Sequence, residues 1–221
     1  NYLSFKLDDV LWQSESNEVF GSYHFSEALG PKLINIAGAK GSGSAQQAFN
    51  INLFNTDKEG TYTVNIGGNC VFSSTLGSAP QYQIVSSSGT TNFNVAGDFT
   101  LNSGQVNLST ATGTGNINIG GNLNLNGGVI AKPGTGTGNV TFTGAVNHTI
   151  TKGTGTFGGG NLTVQSGTLN VSGNPLSLAG DISIASGATF NLPATISTAG
   201  NINFISGSTI NSNNGIVTLT G

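Results

Sequence analysis

Short runs of alternating apolar and polar residues recur along the chain, each interrupted by a glycine. The pattern reads apolar, any, apolar, any, Gly, Asn or Asp, apolar, any, apolar, as in INIGGNLNL around Gly121 and LSLAGDISI around Gly180. Alternation with a period of two is typical of strands that bury one face. The copies centre on Gly68, Gly97, Gly121, Gly180 and Gly200, with a degenerate copy at Gly144 and a half-copy at Gly160.

A second glycine follows most copies, seven residues after the first, and another short alternating run comes after it. Each copy is therefore predicted to hold about three short strands separated by glycine turns. One copy cannot bury its apolar face alone and must stack on the next. The sequence thus predicts an all-β fold, a β-solenoid with about three strands per coil. At ~4.8 Å per coil, seven coils would form a rod roughly 30 Å long. The second glycines are Gly104, Gly128, Gly167, Gly187 and Gly207.

The residue after the central glycine is Asn or Asp in every copy except the degenerate one, and stacked coils are predicted to align these residues as a ladder at one corner. Asn and Asp tolerate left-handed backbone and bond to their own backbone. A column of calcium sites is the alternative, but calcium sites usually contain more carboxylates than the two present here. The predicted ladder contains Asn69, Asp98, Asn122, Asn161, Asp181 and Asn201.

Two further columns follow from the alternation after the central glycine. Residues on the inward side are predicted to stack in the core: Phe99, Leu123, Leu162, Ile182 and Ile202. Residues that follow them are predicted to form an outward column: Thr100, Asn124, Thr163, Ser183 and Asn203.

The first 60 residues differ from the rest. They hold four of the six lysines, seven of the nine acidic residues and the only tryptophan. A solenoid end exposes unpaired strand edges and needs a cap. We therefore expect an N-terminal β cap or small β domain over 1–60 and solenoid repeats over 61–221. A partial copy begins at Val217, so the repeats are expected to continue beyond Gly221.

The composition narrows the possible partners. The 221 residues include 35 Gly but are only 7% charged, and all six basic residues are Lys. Nucleic-acid binding needs clustered basic residues, and none cluster here. No apolar run is long enough to predict a membrane span. Cys70 occupies an apolar repeat position, which favours a buried thiol.

Catalysis is not expected, and neither is a cofactor or a metal. Residues 61–221 offer Asp98 and Asp181 as carboxylates, beside Lys132, Lys152 and His148. Four motif copies separate the two Asp, or roughly 19 Å at ~4.8 Å per coil. The carboxylate pair of a glycosidase lies within ~5–10 Å. His148 takes an inward slot of the degenerate copy and is interpreted as a core or edge histidine.

The stretch that starts at Val140 reads VTFTGAVNHTITKGTGTFGGGNLTVQSGTLNVSG. It resembles the repetitive solenoid segments of large secreted surface proteins of Bacteroidetes, adhesin-like chains exported by the type IX secretion system. This resemblance implies an extracellular or cell-surface location and a structural or adhesive role. The expected partners are other copies of the chain, in end-to-end or filament assembly, or cell-surface glycans.

Three functions compete. The leading hypothesis is a non-catalytic structural or adhesive stalk. The second is a solenoid that binds glycans or ice, although the outward column is too mixed for ice. Glycan binding would favour exposed aromatics, and the solenoid has few, such as Tyr62 and Tyr82. The third is a polysaccharide-degrading enzyme, which the spacing of the carboxylates disfavours.

Overall fold

The computed structural model describes residues 61–73, 81–85 and 88–221 with their side chains, and the backbone of four strands before them. These strands are β1 (Ser4–Leu7), β2 (Val10–Gln13), β3 (Lys32–Gly38) and β4 (Phe49–Asn55). They pair as two antiparallel ribbons, β1 with β2 and β3 with β4. The predicted cap over 1–60 otherwise lies outside the described residues.

From Thr61 onward the chain winds through seven coils of three strands. Coil 1 holds β5 (Thr61–Ile66), β6 (Cys70–Phe72) and β7 (Gln81–Val85). Coil 2 holds β8 (Thr90–Val95), β9 (Phe99–Leu101) and β10 (Gln105–Ser109). Coil 3 holds β11 (Thr114–Ile119), β12 (Leu123–Leu125) and β13 (Val129–Ala131). Coil 4 holds β14 (Thr137–Phe142), β15 (Asn147–Lys152) and β16 (Thr156–Phe157). Coil 5 holds β17 (Asn161–Val164), β18 (Thr168–Gly173) and β19 (Leu176–Leu178). Coil 6 holds β20 (Ile182–Ile184), β21 (Thr189–Asn191) and β22 (Thr195–Thr198). Coil 7 holds β23 (Ile202–Phe204), β24 (Thr209–Asn211) and β25 (Ile216–Leu219).

Strands at the same place in successive coils pair in parallel. The first sheet contains seven strands in the order β5-β8-β11-β14-β17-β20-β23, and the second runs β6-β9-β12-β15-β18-β21-β24. The third face consists of β7-β10-β13-β16 and then β19-β22-β25. The described residues contain no helix. The prediction of an all-β solenoid with about three strands per coil is confirmed.

The core runs continuously between the faces because each strand turns every second residue inward. In the first sheet, Phe93, Ile117 and Val140 stack in register and are all buried. Phe99 and Leu123 do the same in the second sheet, with 0% exposure. Full burial of such a side chain stabilises the fold by about 1.5–3 kcal/mol. The coils are therefore held by apolar stacking as well as by the parallel backbone ladders.

The predicted inward column is split between two sheets. Phe99 and Leu123 lie on the second sheet, whereas the other three lie on the first. The reason is a change at coil 4. In coil 3 the corner between the first and second sheets is short, because only residues 120–122 separate Ile119 from Leu123. In coil 4 the equivalent residues are Phe142 and Ile150, and residues 143–149 separate them. From coil 5 onward the glycine motif precedes the first-sheet strand instead of the second-sheet strand. Aligning the copies by their glycines therefore pairs residues that belong to different sheets. The remaining members of that column are Leu162, Ile182 and Ile202.

Glycine has a steric role at the second turn of each copy. All five glycines at this position have a positive φ, between 73° and 89°. Side chains with a Cβ rarely adopt this conformation, which glycine enters freely. These residues, Gly104, Gly128, Gly167, Gly187 and Gly207, mark the turns that the sequence predicted between strands.

Candidate functional site

The Gly–Asn and Gly–Asp pairs tie each coil to the next. The backbone N–H of Asp98 donates to Asn69 Oδ1 at 2.9 Å, and the N–H of Asn122 donates to Asp98 Oδ1 at 2.7 Å. A Cβ on Gly97 would stand 2.2 Å from Asn69 Oδ1, and one on Gly121 would stand 2.4 Å from Asp98 Oδ1. Glycine precedes the Asx residue because the side-chain oxygen from the coil below occupies the space of a Cβ.

The same bond recurs at a different corner in the upper coils. There the N–H of Asp181 donates to Asn161 Oδ1 at 3.0 Å, and that of Asn201 donates to Asp181 Oδ1 at 2.7 Å. The expectation of one ladder at one corner is therefore wrong. Asn69, Asp98 and Asn122 stack before the second sheet, and Asn161, Asp181 and Asn201 stack before the first.

Each half-ladder is part of a column that spans all seven coils. In the missed part of the first-sheet column the bonds join side chains: Asn116 Nδ2 donates to Asn92 Oδ1 at 2.8 Å, and Asn139 Nδ2 donates to Asn116 Oδ1 at 2.7 Å. The sequence signal for these residues is an Asn directly before the first of two alternating inward apolar residues, as in NFNV and NINI. The first-sheet column is Thr63, Asn92, Asn116, Asn139, Asn161, Asp181 and Asn201. The second-sheet column is Asn69, Asp98, Asn122, Thr149, Asn170, Asn191 and Asn211.

The predicted outward column is divided in the same way. Thr100 and Asn124 are neighbours on the second sheet, where Asn124 Nδ2 donates to Thr100 Oγ1 at 3.2 Å. Thr163, Ser183 and Asn203 are neighbours on the first sheet. The lower part of the first-sheet column consists of residues that the sequence analysis did not select: Asn65, Asn94, Asn118 and Thr141.

Three of these missed residues, Asn65, Asn94 and Asn118, line a shallow groove of about 400 Å³, which we call the amide groove. Three stacked amides run along it, since Asn94 Nδ2 donates to Asn65 Oδ1 at 2.8 Å and Asn118 Nδ2 donates to Asn94 Oδ1 at 2.7 Å. The residues that line the groove are Asn65, Ile66, Gly67, Asn94, Val95, Ala96, Asn118, Gly120, Thr143 and Gln165. None of these ten carries a charge.

The amides in this groove keep hydrogen-bonding capacity that the ladder does not use. A side-chain amide has two N–H donors and two acceptor lone pairs on its oxygen. Asn94 uses one donor and one acceptor in the ladder. The stacking also fixes its orientation, and equivalent groups repeat every ~4.8 Å along the rod. This arrangement suits a neutral, polyhydroxylated ligand that lies along the rod axis.

The ionisable residues of the solenoid are dispersed. Asp98 and Asp181 lie four coils apart and on different columns, so roughly 19 Å of stacking separates them at ~4.8 Å per coil. Lys132 Nζ donates to the carbonyls of Gly134 and Gly136 at 2.9 and 3.0 Å. Within 61–73, 81–85 and 88–221, no three His, Cys, Asp or Glu side chains are placed to hold a metal ion. Burial raises the pKa of the Cys70 thiol to about 12.

Comparison of the chain with protein-family models, with curated proteins and with solved structures finds no match. In the part of the chain that the structure describes, no helix has the length and apolar character needed to cross a membrane.

Proposed function

We propose that this chain is a non-catalytic structural and adhesive segment of an extracellular surface protein. In this proposal the solenoid is a rigid rod, and its amide groove binds neutral glycans. The observation that carries the proposal is the parallel stacking of seven coils in two continuous sheets over one buried core.

The stacking supports a structural role because it leaves no hinge between coils 2 and 6. Leu101, Leu125, Leu162 and Ile182 have no exposed surface, and every coil contributes to both seven-stranded sheets. In a stack of repeats each coil is stabilised by its neighbours, so bending requires cooperative disruption of the interface. A rod of this kind holds whatever it carries at a fixed distance.

The groove supports an adhesive role. Its amides offer fixed donors and acceptors to hydroxyl groups, and its lack of charge favours a neutral ligand over an anionic one. The ladder bonds also restrict the side chains before a ligand arrives, which lowers the entropy lost on binding.

The distribution of carboxylates supports a role without catalysis. Hydrolysis of a glycosidic bond uses two carboxyl groups within ~5–10 Å. Both solenoid carboxylates instead accept the backbone N–H of the coil above, Asp98 from Asn122 and Asp181 from Asn201. They perform the task that Asn performs at equivalent positions.

The proposed location rests on the resemblance of the stretch that starts at Val140 to secreted surface proteins. Neutral outward columns of Asn, Thr and Ser suit a surface that stays in solution without strong charge. Within this proposal, cell-surface glycans are the partners of the groove.

A glycan array tests the adhesive role with a matched pair of variants. Asn94→Ala removes an amide from the groove, whereas Asn126→Ala removes an equivalent ladder bond, Asn126 Nδ2 to Asn102 Oδ1 at 2.8 Å, outside it. We expect the wild type and N126A to bind the same neutral oligosaccharides. N94A should bind them about tenfold more weakly, as expected for the loss of one to two hydrogen bonds to a ligand.

Two results would contradict the proposal. Failure of the wild type to bind any neutral glycan on the array would remove the adhesive role. Shortening of any bound polysaccharide by the purified protein, measured by size-exclusion chromatography, would remove the claim that it is not an enzyme. Equal losses in N94A and N126A would show that the groove is not the binding site.

A further inference from the structure

His148 occupies an inward position where the coils below it have glycine. Its side chain is fully buried and lies above Gly121, which in turn lies above Gly97. The coils above place Leu169 and then Phe190 at the same position. The imidazole therefore lies where a glycine column changes to large apolar side chains.

The partner of the corner carbonyl changes at this point. In the tight lower corner the N–H of Gly121 donates to the carbonyl of Gly97 at 3.0 Å. One coil higher the corner has lengthened, although the N–H of Thr149 keeps the ladder bond to Asn122 Oδ1 at 2.9 Å. The carbonyl of Gly121 is met by the ring of His148, whose Nδ1 lies 2.7 Å from it. His148 thus supplies a donor where the corner changes length.

The second ring nitrogen contacts another carbonyl. His148 Nε2 lies 2.7 Å from the carbonyl oxygen of Gly144, in the lengthened corner of coil 4. A carbonyl oxygen can only accept, and a neutral imidazole carries a single N–H. Both short contacts are hydrogen bonds only when both nitrogens are protonated. We propose that His148 is a proton-dependent clamp that, as an imidazolium, ties the corner of coil 4 to coil 3.

The surroundings allow this charge at a cost. Burying a cation is unfavourable, but hydrogen bonds from a charged donor are about twice as strong as neutral ones. The ring of Phe142 adds a contact, with its centroid 5.0 Å from that of the imidazole. The packed strands β12, β14 and β18 carry no ionisable residue. The charged residues of the second sheet near this level are Asp98, two coils below, and Lys152, at the end of β15.

The clamp adjoins the amide groove. Gly121 and Gly144, whose carbonyls it holds, directly follow Gly120 and Thr143, which line the groove. Loss of the proton removes one of the two bonds and frees the end of the groove at coil 4. This extension, in which glycan binding weakens as pH rises, rests on the proposed function, whereas the clamp itself does not.

The protonation state is measured directly by ¹⁵N NMR of the imidazole. Free imidazole titrates near pH ~6.5, so spectra from about pH 5 to 8 cover the relevant range. All samples carry His24→Gln, which removes the other histidine of the chain. We expect both nitrogens of His148 to give protonated shifts at about pH 5 and the corner amides, such as that of Thr149, to exchange faster once the ring loses its proton. A ring that is neutral throughout this range in the folded protein would overturn the proposal.

A stability series gives a second test. In the His24→Gln background, the free energies of unfolding of the wild type and of His148→Gln are compared at pH ~5 and ~8. Because His148→Gln donates to one carbonyl at any pH, we expect the two proteins to differ in how their stability changes between these pH values. If H148Q does not fold, the NMR titration alone decides. An unchanged pH dependence in folded H148Q would overturn the clamp.

Glycan binding measured at both ends of the range separates the two proposals. Weaker binding at pH ~8 in the wild type, with no change in H148Q, supports the link between clamp and groove. Binding that is equal at both pH values, with the NMR result as expected, removes the link and leaves the clamp. Absence of binding at every pH contradicts the proposed function only.

Discussion

Asn and Asp are interchangeable after the motif glycine because each acts there through one side-chain oxygen. Asp98 Oδ1 accepts both the backbone N–H of Asn122 at 2.7 Å and its Nδ2 at 3.0 Å, and Asn122 Oδ1 in turn accepts the N–H of Thr149. The acceptor geometry is the same for an amide and a carboxylate. What the position demands is an oxygen one bond beyond Cγ, and above Asn69 and Asp98 a glycine leaves room for it.

Cys70, in contrast to the Asn and Asp of the columns, is a buried residue of the hydrophobic core. It packs in register below Phe99, and burial raises the pKa of its thiol from 9.0 to about 12. The thiolate is the reactive form, so we expect no modification by a thiol reagent at pH ~8 in the folded protein and complete modification in denaturant. Rapid labelling of the folded chain would contradict the burial of Cys70.

The same shift predicts a pH dependence of stability. The unfolded chain loses the thiol proton near pH 9 and the folded chain only near 12, so the folded state binds more protons between these values. The free energy of unfolding should therefore fall as pH rises through this window. Denaturation of the wild type and of Cys70→Ala at pH ~8 and ~10 isolates this contribution, because the variant lacks it.

At the scale of strands and corners, the sequence predicted more about local structure than about alignment. Alternation predicted strands such as β12 and β20, and the positive-φ glycines fall at the predicted turns. The column assignments were wrong because the hydrogen bond of the Gly–Asx pair forms at two different corners of the coil. The spacing carried the missing information: matched residues in the first sheet are 29, 24, 23, 22 and 20 apart, whereas Gly144 and Gly160 are only 16 apart.

The amide groove was not predicted for a related reason. Asn65, Asn94 and Asn118 belong to the strand before the central glycine, whereas the predicted outward column followed it. A neutral groove also has no motif of its own, because Asn and Thr occur on every outward face of this chain. Only the parallel register shows which of these side chains stack.

The corner glycines allow a prediction about coil stacking with an internal control. Gly121→Ala places a Cβ 2.4 Å from Asp98 Oδ1 and 2.7 Å from the backbone of Gly97. We expect the free energy of unfolding to fall by about 1–3 kcal/mol, as for an overpacked site. Gly68 holds the same place in the motif, but a Cβ there meets nothing within 4 Å. Gly68→Ala should therefore change stability by less than about 0.5 kcal/mol.

Chemical denaturation of the two alanine variants provides the comparison. A loss of stability confined to Gly121→Ala is the expected outcome. Equal effects in both variants would mean that the backbone conformation of the motif glycine, rather than the oxygen from the coil below, requires glycine at this position.

At the scale of the whole molecule, the described solenoid is a one-dimensional stack in which every strand from β8 to β22 has a parallel neighbour on both sides, except at the change of the third face. Coils 2 to 6 thus share one core and one set of columns. This continuity underlies both the proposed structural role and the axial repeat of the amide groove. All of it depends on the chain advancing by one strand spacing per coil.

Distances between spin labels measure that advance most directly. Nitroxide labels on cysteines that replace Asn94 and Ser183 are separated by four coils in one first-sheet column, and those that replace Asn94 and Asn203 by five. In a Cys70→Ala background, double electron–electron resonance should give separations near 19 Å and 24 Å, with a difference of ~4.8 Å for the added coil. Equal separations, or a shorter distance for the pair that includes Asn203, would contradict the stacked solenoid.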